Sequence, residues 1–398
     1  MREVSTLTGA WTAAHPYNPI MLSTPHRIDL CALGSTVGLI TDSALLCDAL
    51  KTRLGSFLID GSNAIRSATL RETLIEARFD PAPPRVSVGE EILELVPDNA
   101  IEQAVGIVFR ALLDGVKDFL VLHAAALERK GRALLVAGPS GSGKTTLTLA
   151  LIERGFRLLS DDFAPLERSS GRIHPFLKAA GIRPGAAADL AAATGSLPER
   201  SSNPSDGAIG APRRLDPTQL DPKRLATQPC QIAAIVLIGD ERVAATADAP
   251  YAFSLLCAGT TNPVRESLEG LPGLELIEAR GAELIFMIDP KRVRAKRLDD
   301  LLDELAPLLL EYGVVASLEH DTSRTPRLEP LVVSETLFLL GREIQNRRPG
   351  GQLLASVGGD PTRLLAELGQ ALQTVHCVRL IPGEARASAA LIARQLAP

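Results

Sequence analysis

The sequence Gly138-Pro-Ser-Gly-Ser-Gly-Lys-Thr145 decides the fold class of this 398-residue chain. It fits the pattern G-x-x-x-x-G-K-[ST], in which glycines let successive backbone N–H groups point inward and form a cradle for anions. A helix that starts directly after such a loop adds the positive end of its dipole to the cradle. The pattern therefore predicts that this segment binds the phosphates of a nucleotide.

The flanking sequence has the order of strand, loop and helix that such a loop requires. Residues 132–137 form an apolar run typical of a buried strand, and residues 146–154 have the apolar spacing of a helix that stops at Gly155. We expect Lys144 to reach the β- and γ-phosphates of ATP, and the Thr145 hydroxyl to ligate Mg²⁺. The residues predicted to bind ATP are Gly138, Ser140, Gly141, Ser142, Gly143, Lys144, Thr145 and Thr146.

Composition and charge argue against several other classes of protein. A hydrophobic content of 45% and a charged content of 22% are those of an ordinary globular protein. A net charge of −5 and an aromatic content of 4% leave little to bind nucleic acid. The five scattered cysteines favour neither a disulfide framework nor a zinc site. Because no signal peptide or membrane-spanning run is visible, we expect a cytoplasmic protein that makes no membrane contact.

Proline-rich stretches and changes in composition divide the chain into three predicted regions. Residues 1–86 mix short apolar runs with a helical stretch and end beside Pro81-Ala-Pro-Pro84, which predicts an α+β region used for recognition or regulation. Residues 87–310 are predicted to form the nucleotide-binding domain, and residues 311–398 a C-terminal α/β extension packed on it. Residues 195–229 are rich in Ser, Pro, Gly and Asp, which predicts a mobile loop. Such a loop is either a substrate lid or an ordinary surface insertion.

Apolar periodicity predicts the main elements of these parts. Helical spacing occurs in five places outside the glycine loop, and strand-like runs occur in five others. The predicted helices are 42–54, 99–113, 298–310, 334–346 and 361–373, and the predicted strands are 119–128, 157–160, 232–238 and 375–380, with a strand or strand pair at 275–288.

Two adjacent carboxylates supply the second candidate for chemistry. The short apolar strand that starts at Arg157 ends in Asp161 and Asp162, one helix beyond the glycine loop. Ligands of open α/β sheets lie at the carboxyl ends of strands, so both aspartates are expected near Lys144. Neighbouring strand residues point to opposite sides, so one carboxylate would face the γ-phosphate and the other would support a metal or the backbone. The alternative is a polar strand end or a helix cap.

Several basic side chains have no role that the sequence can assign. His123 follows the apolar run Phe119-Leu-Val-Leu122, where a lone histidine is more often a core residue than a catalytic one. Others either neutralise a transferring phosphoryl group or lie on a solvated surface. These are His174, Lys178, Arg183, Arg213 and Arg214.

Three segments together resemble HPr kinase/phosphorylase and its relatives. They are Leu122-His-Ala-Ala125, the loop at 138–145, and Gly155-Phe-Arg-Leu-Leu-Ser-Asp-Asp162, and the spacing between them is similar to that of the family. The resemblance implies an α/β fold, namely a P-loop kinase core of the HPr kinase / PEP carboxykinase type with an N-terminal α+β region and a C-terminal extension. It implies a kinase that transfers the γ-phosphate of ATP to a serine of a protein or peptide.

The resemblance also implies roles for individual residues. Asp161 would be the general base on the acceptor hydroxyl, and His123 would orient Asp161. Lys144 would hold the phosphates, while Thr145 and Asp162 would bind Mg²⁺. The chain departs from the family after the aspartate pair, where residues 172–183 replace a glycine-rich signature that contains a glutamate. Peptide-tailoring kinases of the lasso-peptide type therefore fit the sequence as well as an enzyme acting on HPr.

Other functions stay open at the level of sequence. One is a kinase of small molecules, such as free serine or a metabolite. A second is a P-loop ATPase that uses Asp240 and Glu241, although Gly239 interrupts that pattern. A third is a nucleotide-sensing regulator with residues 1–86 as its output, which would need neither Asp161 nor His123. The sequence is compatible with an oligomer and does not identify the acceptor.

Overall fold

A computed structural model describes most of the chain, and the described residues form a mixed α/β structure. They are residues 25–59, 72–80, 82–138, 142–178, 220–239 and 325–396, with shorter pieces at 180–182, 213–215, 251–256, 262–269, 273–280, 283–288 and 315–318. The predicted helix at 298–310, most of the predicted loop at 195–229 and the acidic pair at 240–241 lie outside them. So do Ser140, Gly141 and Arg183.

The described elements are runs of strands interrupted by one or a few helices. The strands are β1 (His26–Ala32), β2 (Ser35–Thr41), β3 (Glu72–Arg78), β4 (Arg85–Val88), β5 (Glu91–Glu94), β6 (Phe119–Leu122), β7 (Ala124–Arg129), β8 (Arg132–Ala137), β9 (Arg157–Ser160), β10 (Ala164–Glu167), β11 (Arg172–Ile173), β12 (Ala180–Ile182), β13 (Arg213–Leu215), β14 (Cys230–Ile238), β15 (Tyr251–Leu256), β16 (Leu274–Arg280), β17 (Glu283–Ile288), β18 (Val315–Leu318), β19 (Arg327–Pro330) and β20 (His376–Ile381). The α-helices are α1 (Ala44–Leu54), α2 (Ala100–Asp114), α3 (Lys144–Glu153), α4 (Asn262–Glu269), α5 (Val333–Arg342), α6 (Gln352–Ser356), α7 (Pro361–Leu372) and α8 (Ala385–Gln395).

The N-terminal unit is a five-stranded sheet covered by two helices. Its strands lie in the order β1-β2-β3-β4-β5, and β2 and β3 pair in parallel while the other neighbours are antiparallel. Helix α2 turns a stripe of side chains spaced by four residues, Ala104, Val108 and Leu112, into the core, where all three are fully buried. Because β4, Leu95 and α2 share this core, it includes residues on both sides of residue 86, where the sequence predicted a boundary.

The carboxyl ends of four strands lie along one edge of the central sheet. Its strands lie in the order β6-β10-β11-β14-β8-β7-β9, and β20 pairs with both β14 and β19. Strand β14 is parallel to β8 and to β20, and β7 is antiparallel to both β8 and β9. Strands β8, β9, β14 and β20 therefore run in one direction. The segments that follow them, including the glycine loop and the aspartate pair, begin at the same edge.

Helices cover both faces of the central sheet. Leu134 and Val136 of β8 point to the face that carries α3 and α8. Leu135 of the same strand points to the other face, where Leu340 of α5 and Leu368 of α7 are fully buried. This alternation follows from the period of two in a strand, and it explains why β8 is an uninterrupted apolar run.

Residues from the C-terminal part belong to the central sheet as well as packing on it. Besides β19 and β20, residues 343–346, here called the C-terminal strap, run along the outer edge of β6. The backbone N–H of His123 donates to the carbonyl of Glu343 (2.8 Å), and that of Gln345 donates to the carbonyl of Val121 (2.8 Å). The strap thus closes an edge that would otherwise lack partners for its backbone groups.

Asn346 anchors the strap through its side chain, which is completely buried. Its Oδ1 accepts a hydrogen bond from the backbone of Val121 (3.1 Å). Its Nδ2 donates to the carbonyls of Val116 (3.2 Å) and Phe119 (2.9 Å). A buried amide with three satisfied bonds fixes this segment in one position.

Two smaller sheets complete the described structure. Strands β12 and β13 form an antiparallel pair, and the other sheet has the order β16-β17-β15-β18, with α4 packed on β16. Strands β16 and β17 show that 275–288, predicted as a strand or a strand pair, forms a pair. Within the described parts of the chain, every helix is too short or too polar to cross a bilayer.

Candidate active site

The glycine loop joins β8 to α3 at the edge where the parallel strands end. Gly143 immediately precedes α3 and has φ +86°, a left-handed conformation that favours glycine. A Cβ atom at Gly138 would lie 2.8 Å from Ser142 Oγ and 3.0 Å from the carbonyl oxygen of Ile238. The backbone therefore leaves no room for a side chain at Gly138.

Two polar side chains of the loop are buried beside it. Lys144 is 7% exposed, and its Nζ donates to the carbonyl of Gly138 (2.7 Å), the first residue of the glycine loop. Ser142 Oγ is buried and has no hydrogen-bond partner among the described residues. A buried hydroxyl without a partner costs free energy unless a ligand satisfies it. Both groups are placed where the oxygens of a phosphate would satisfy them.

Asp161 is attached to the glycine loop by a hydrogen bond. The Thr145 hydroxyl donates to Asp161 Oδ2 over 3.1 Å. Burial and the neighbouring charge of Asp162 raise the pKa of Asp161 to about 6, against the opposing effects of Thr145 and the nearby lysines. The carboxylate is thus more basic than an exposed aspartate and still mostly ionised at neutral pH.

The Asp162 carboxylate lies between the imidazole of His123 and the ammonium group of Lys178. Its Oδ1 is 3.2 Å from His123 Nδ1, and its Oδ2 is 3.5 Å from Lys178 Nζ. Burial tends to raise the pKa of Asp162, but Lys178, His123 and Lys144 outweigh it and hold the pKa below the ordinary value. The side chain keeps 37% of its surface exposed, so one side of the carboxylate is open to a ligand.

His123 occupies the short break between β6 and β7. Burial and the charge of Lys144 lower its pKa, although Asp162 acts in the opposite direction. These effects favour the neutral form of the imidazole. With Asp162 ionised, the proton belongs on Nδ1, where it is donated to the carboxylate, and Nε2 is left as an acceptor.

The structure brings together most of the residues predicted from the sequence. Lys144, Thr145, Asp161, Asp162 and His123 all meet at this edge. The His123 ring lies 3.2 Å from a carboxylate oxygen of Asp162, whereas the resemblance implied that His123 orients Asp161.

The other predicted cations lie elsewhere or have no described side chain. His174 pairs with Glu167 over 3.2 Å. Arg213 and Arg214 lie in β13.

Lys178, for which the sequence left open a role in neutralising phosphate or a place on the solvated surface, lies in the site beside Asp162, together with two phenylalanines that the sequence did not single out. Lys178 Nζ lies 4.9 Å from the ring centroid of Phe109 and 4.7 Å from that of Phe163. Lys178 follows β11 in a stretch without periodicity, and Phe109 belongs to α2 of the N-terminal unit. No local pattern links these residues, so the sequence carried no signal for the cluster.

The oxygen groups at this edge fit Mg²⁺ bound together with a nucleotide. Mg²⁺ prefers oxygen ligands and is usually held by one or two carboxylates plus substrate phosphates. Thr145 offers a hydroxyl, and Asp161 and Asp162 offer carboxylates within the same small region. Within the described residues, no group of three or more His, Cys, Asp or Glu side chains could hold a metal without other ligands.

Comparison with known proteins finds one short region of similarity. No family model matches the chain. Two HPr kinase/phosphorylases of Clostridium botulinum, from strain Eklund 17B (type B) and strain Alaska E43 (type E3), are each 38% identical to it over 52 residues. The aligned segment spans 13% of this chain and 17% of each relative. The chain is thus similar to these enzymes over a small part of their length.

Proposed function

We propose that this protein transfers the γ-phosphate of ATP to the hydroxyl group of a serine in a peptide or protein. The observation that carries the proposal is the hydrogen bond of 3.1 Å that joins Thr145 of the glycine loop to Asp161 of the carboxylate pair. A glycine loop alone would serve a motor, a switch or a kinase. A carboxylate beside it supplies what phosphoryl transfer to a hydroxyl requires, a group that orients or deprotonates the acceptor.

The groups that would hold the nucleotide all belong to the loop and the start of α3. The Lys144 ammonium and the buried hydroxyl of Ser142 would bind phosphate oxygens, together with backbone N–H groups at the start of the helix. When bound, Mg²⁺ neutralises the negative charge of the phosphates. Thr145 and Asp162 are its proposed ligands, and the contact between Thr145 and Asp161 makes Asp161 a further candidate.

Asp161 is proposed to accept the proton of the serine hydroxyl. A pKa of about 6 supports this, because a base that titrates near the working pH is both ionised and reasonably basic. The hydrogen bonds also favour a second division of roles. In that arrangement Asp161 and Thr145 hold Mg²⁺, and Asp162, oriented by the imidazole of His123, accepts the proton.

The two arrangements predict different behaviour for the variants Asp161→Asn and Asp162→Asn. Loss of the base should lower kcat by about 10²–10⁴-fold, with little change in the Mg²⁺ concentration that gives half-maximal rate. Loss of a metal ligand should instead raise that Mg²⁺ concentration by at least about tenfold. The acceptor is sought by incubation of the protein with γ-labelled ATP and a lysate or serine-containing peptides, followed by mass-spectrometric mapping of phosphoserine.

The same experiment separates this function from its rivals. Label in a small metabolite would identify a small-molecule kinase, and release of inorganic phosphate without transfer would identify an ATPase. Binding of ATP without turnover would indicate a nucleotide-sensing regulator. Each of these results would overturn transfer to a peptide or protein.

A further inference from the structure

Residues 174–178 form a bridge between the candidate active site and the N-terminal unit. The Phe176 backbone N–H donates to the carbonyl of Leu159 in β9 over 2.8 Å. The Phe176 ring packs on Phe57 with 4.6 Å between the centroids, inside the core of the N-terminal unit. Next to it, the Ser56 hydroxyl donates to the carbonyl of Leu177. The segment that ends in Lys178 is therefore fixed on one side to β9 and on the other to the N-terminal unit.

The ammonium group of Lys178 is held from three directions. The rings of Phe109 and Phe163 lie 4.9 Å and 4.7 Å from its Nζ, within the range of a cation–π contact. These two rings pack edge to face, with 5.0 Å between their centroids. The third contact is Asp162 Oδ2, at 3.5 Å. One of the three, Phe109, comes from α2 of the N-terminal unit.

An ion pair between a lysine and a partly exposed carboxylate usually contributes little free energy. The lysine side chain loses rotamer freedom when it is held, and water screens its charge. Here the two aromatic rings already restrict the Lys178 side chain, so its ion pair with Asp162 costs less rotamer freedom. The two oxygens of Asp162 then have separate partners, His123 for Oδ1 and Lys178 for Oδ2. With both partners in place, the carboxylate has one orientation.

We propose that Lys178 is a positioning residue for Asp162, and that the N-terminal unit controls it through Phe109. The N-terminal unit thereby sets the orientation of a carboxylate in the phosphoryl-transfer site. The effect on turnover rests on the proposed function. The effect on the geometry of Asp162 and His123 does not.

The first test measures geometry without turnover. The ¹⁵N signals of the His123 ring are recorded by NMR and assigned with His123→Gln, since the chain has six histidines. Lys178→Met removes the charge and should move these signals, Lys178→Arg should largely restore them, and Phe109→Leu should move them in the same direction by less. Lys51→Met removes a lysine paired with Asp48 (3.7 Å) outside the site and should leave them unchanged. Unmoved His123 signals in folded Lys178→Met protein would overturn the proposal.

The second test measures turnover, with ATP·Mg²⁺ as donor and water as the acceptor. We expect Lys178→Met to lower kcat for phosphate release about 10–100-fold, with the KM for ATP within about twofold of wild type. Phe109→Leu should lower kcat about 3–10-fold, and Lys178→Arg should come within about fivefold of wild type. A normal kcat in Lys178→Met would refute the positioning role. If the wild type neither hydrolyses ATP nor transfers its phosphate, the proposed function fails, and the NMR result still decides the inference.

Discussion

Asp161→Asn should make the protein more stable at neutral pH while it removes a group proposed to be catalytic. Burial and the charge of Asp162 raise the pKa of Asp161 from 3.8 to about 6. Folding therefore favours the protonated form of this carboxyl group. The stabilisation linked to that proton is complete below the unfolded pKa near 3.8 and is lost as the pH rises through about 6. At pH 7 the ionised Asp161 opposes folding.

The size of the effect follows from the pKa. One pKa unit corresponds to about 1.36 kcal/mol, so the rise from 3.8 to about 6 corresponds to at most ~3 kcal/mol. Asparagine has no charge to bury, and its side-chain oxygen can still accept the hydrogen bond from Thr145. We therefore expect the free energy of unfolding of Asp161→Asn to exceed that of the wild type by about 1–3 kcal/mol at pH 7.

The assay is urea unfolding of both proteins between pH 4 and pH 8, without nucleotide or Mg²⁺. The difference between the two unfolding free energies should be largest at pH 7–8 and should shrink as the pH falls toward 4. Asp162→Asn is the matched control, because cations hold the pKa of Asp162 below its ordinary value and its charge stabilises the folded state. That variant should be less stable than the wild type at pH 7. A pH-independent difference, or stabilisation by both substitutions, would refute the electrostatic reasoning.

Further substitutions test the loop and the strap. Lys144→Ala should weaken ATP binding at least tenfold by calorimetric titration without unfolding the protein, because it removes the buried ammonium group; unchanged affinity would contradict its role in phosphate binding. Gly138→Ala should also weaken ATP binding, since its Cβ would lie 2.8 Å from Ser142 Oγ, whereas Gly106→Ala in α2 has no atom within 4 Å of its Cβ and should leave affinity unchanged. Asn346→Ala should lower the free energy of unfolding by about 3–5 kcal/mol, because three buried backbone groups lose their partner. A loss below about 1 kcal/mol would show that water replaces the amide.

The elements around the glycine loop were predictable because their signals are local. The apolar run at 132–137 is β8, and the helix predicted from residue 146 begins at Lys144, directly after the loop. Helix α2, predicted at 99–113, spans 100–114 because its apolar residues recur at the helical period. In each case the residues that determine the element lie within it.

Other features depend on partners far away in the chain. The sequence predicted one strand at 119–128, with His123 after the apolar run 119–122, but the structure contains two strands, β6 and β7, with His123 between them. Strand β6 pairs with β10, whereas β7 pairs with β8 and β9, so the break reflects a change of partners. His123 marks the position of the break, but the local sequence does not show which strands pair on either side of it.

The C-terminal end of the helix predicted at 334–346 also depends on a distant partner. It stops at Arg342, because the next residues pair with the edge of β6 as the C-terminal strap. The contacts of Lys178 are of the same kind, since the residues that hold it come from α2 and from the segment after β9. Contacts between distant segments are set by tertiary packing, which overrides local propensity.

The C-terminal strap has a consequence for the synthesis of the protein. Asn346 and the strand residue Val121 that it binds are 225 positions apart in the chain, and β20, beside β14, is made later still. A ribosome that adds about 5–20 residues per second needs roughly 10–45 s to cover that distance. During this interval the glycine loop and the aspartate pair have already been translated, but the backbone of His123 has no partner in the strap. The nascent chain thus acquires its phosphate cradle well before the segment that secures the histidine, and a ribosome that stalls before residue 346 leaves the site unfinished.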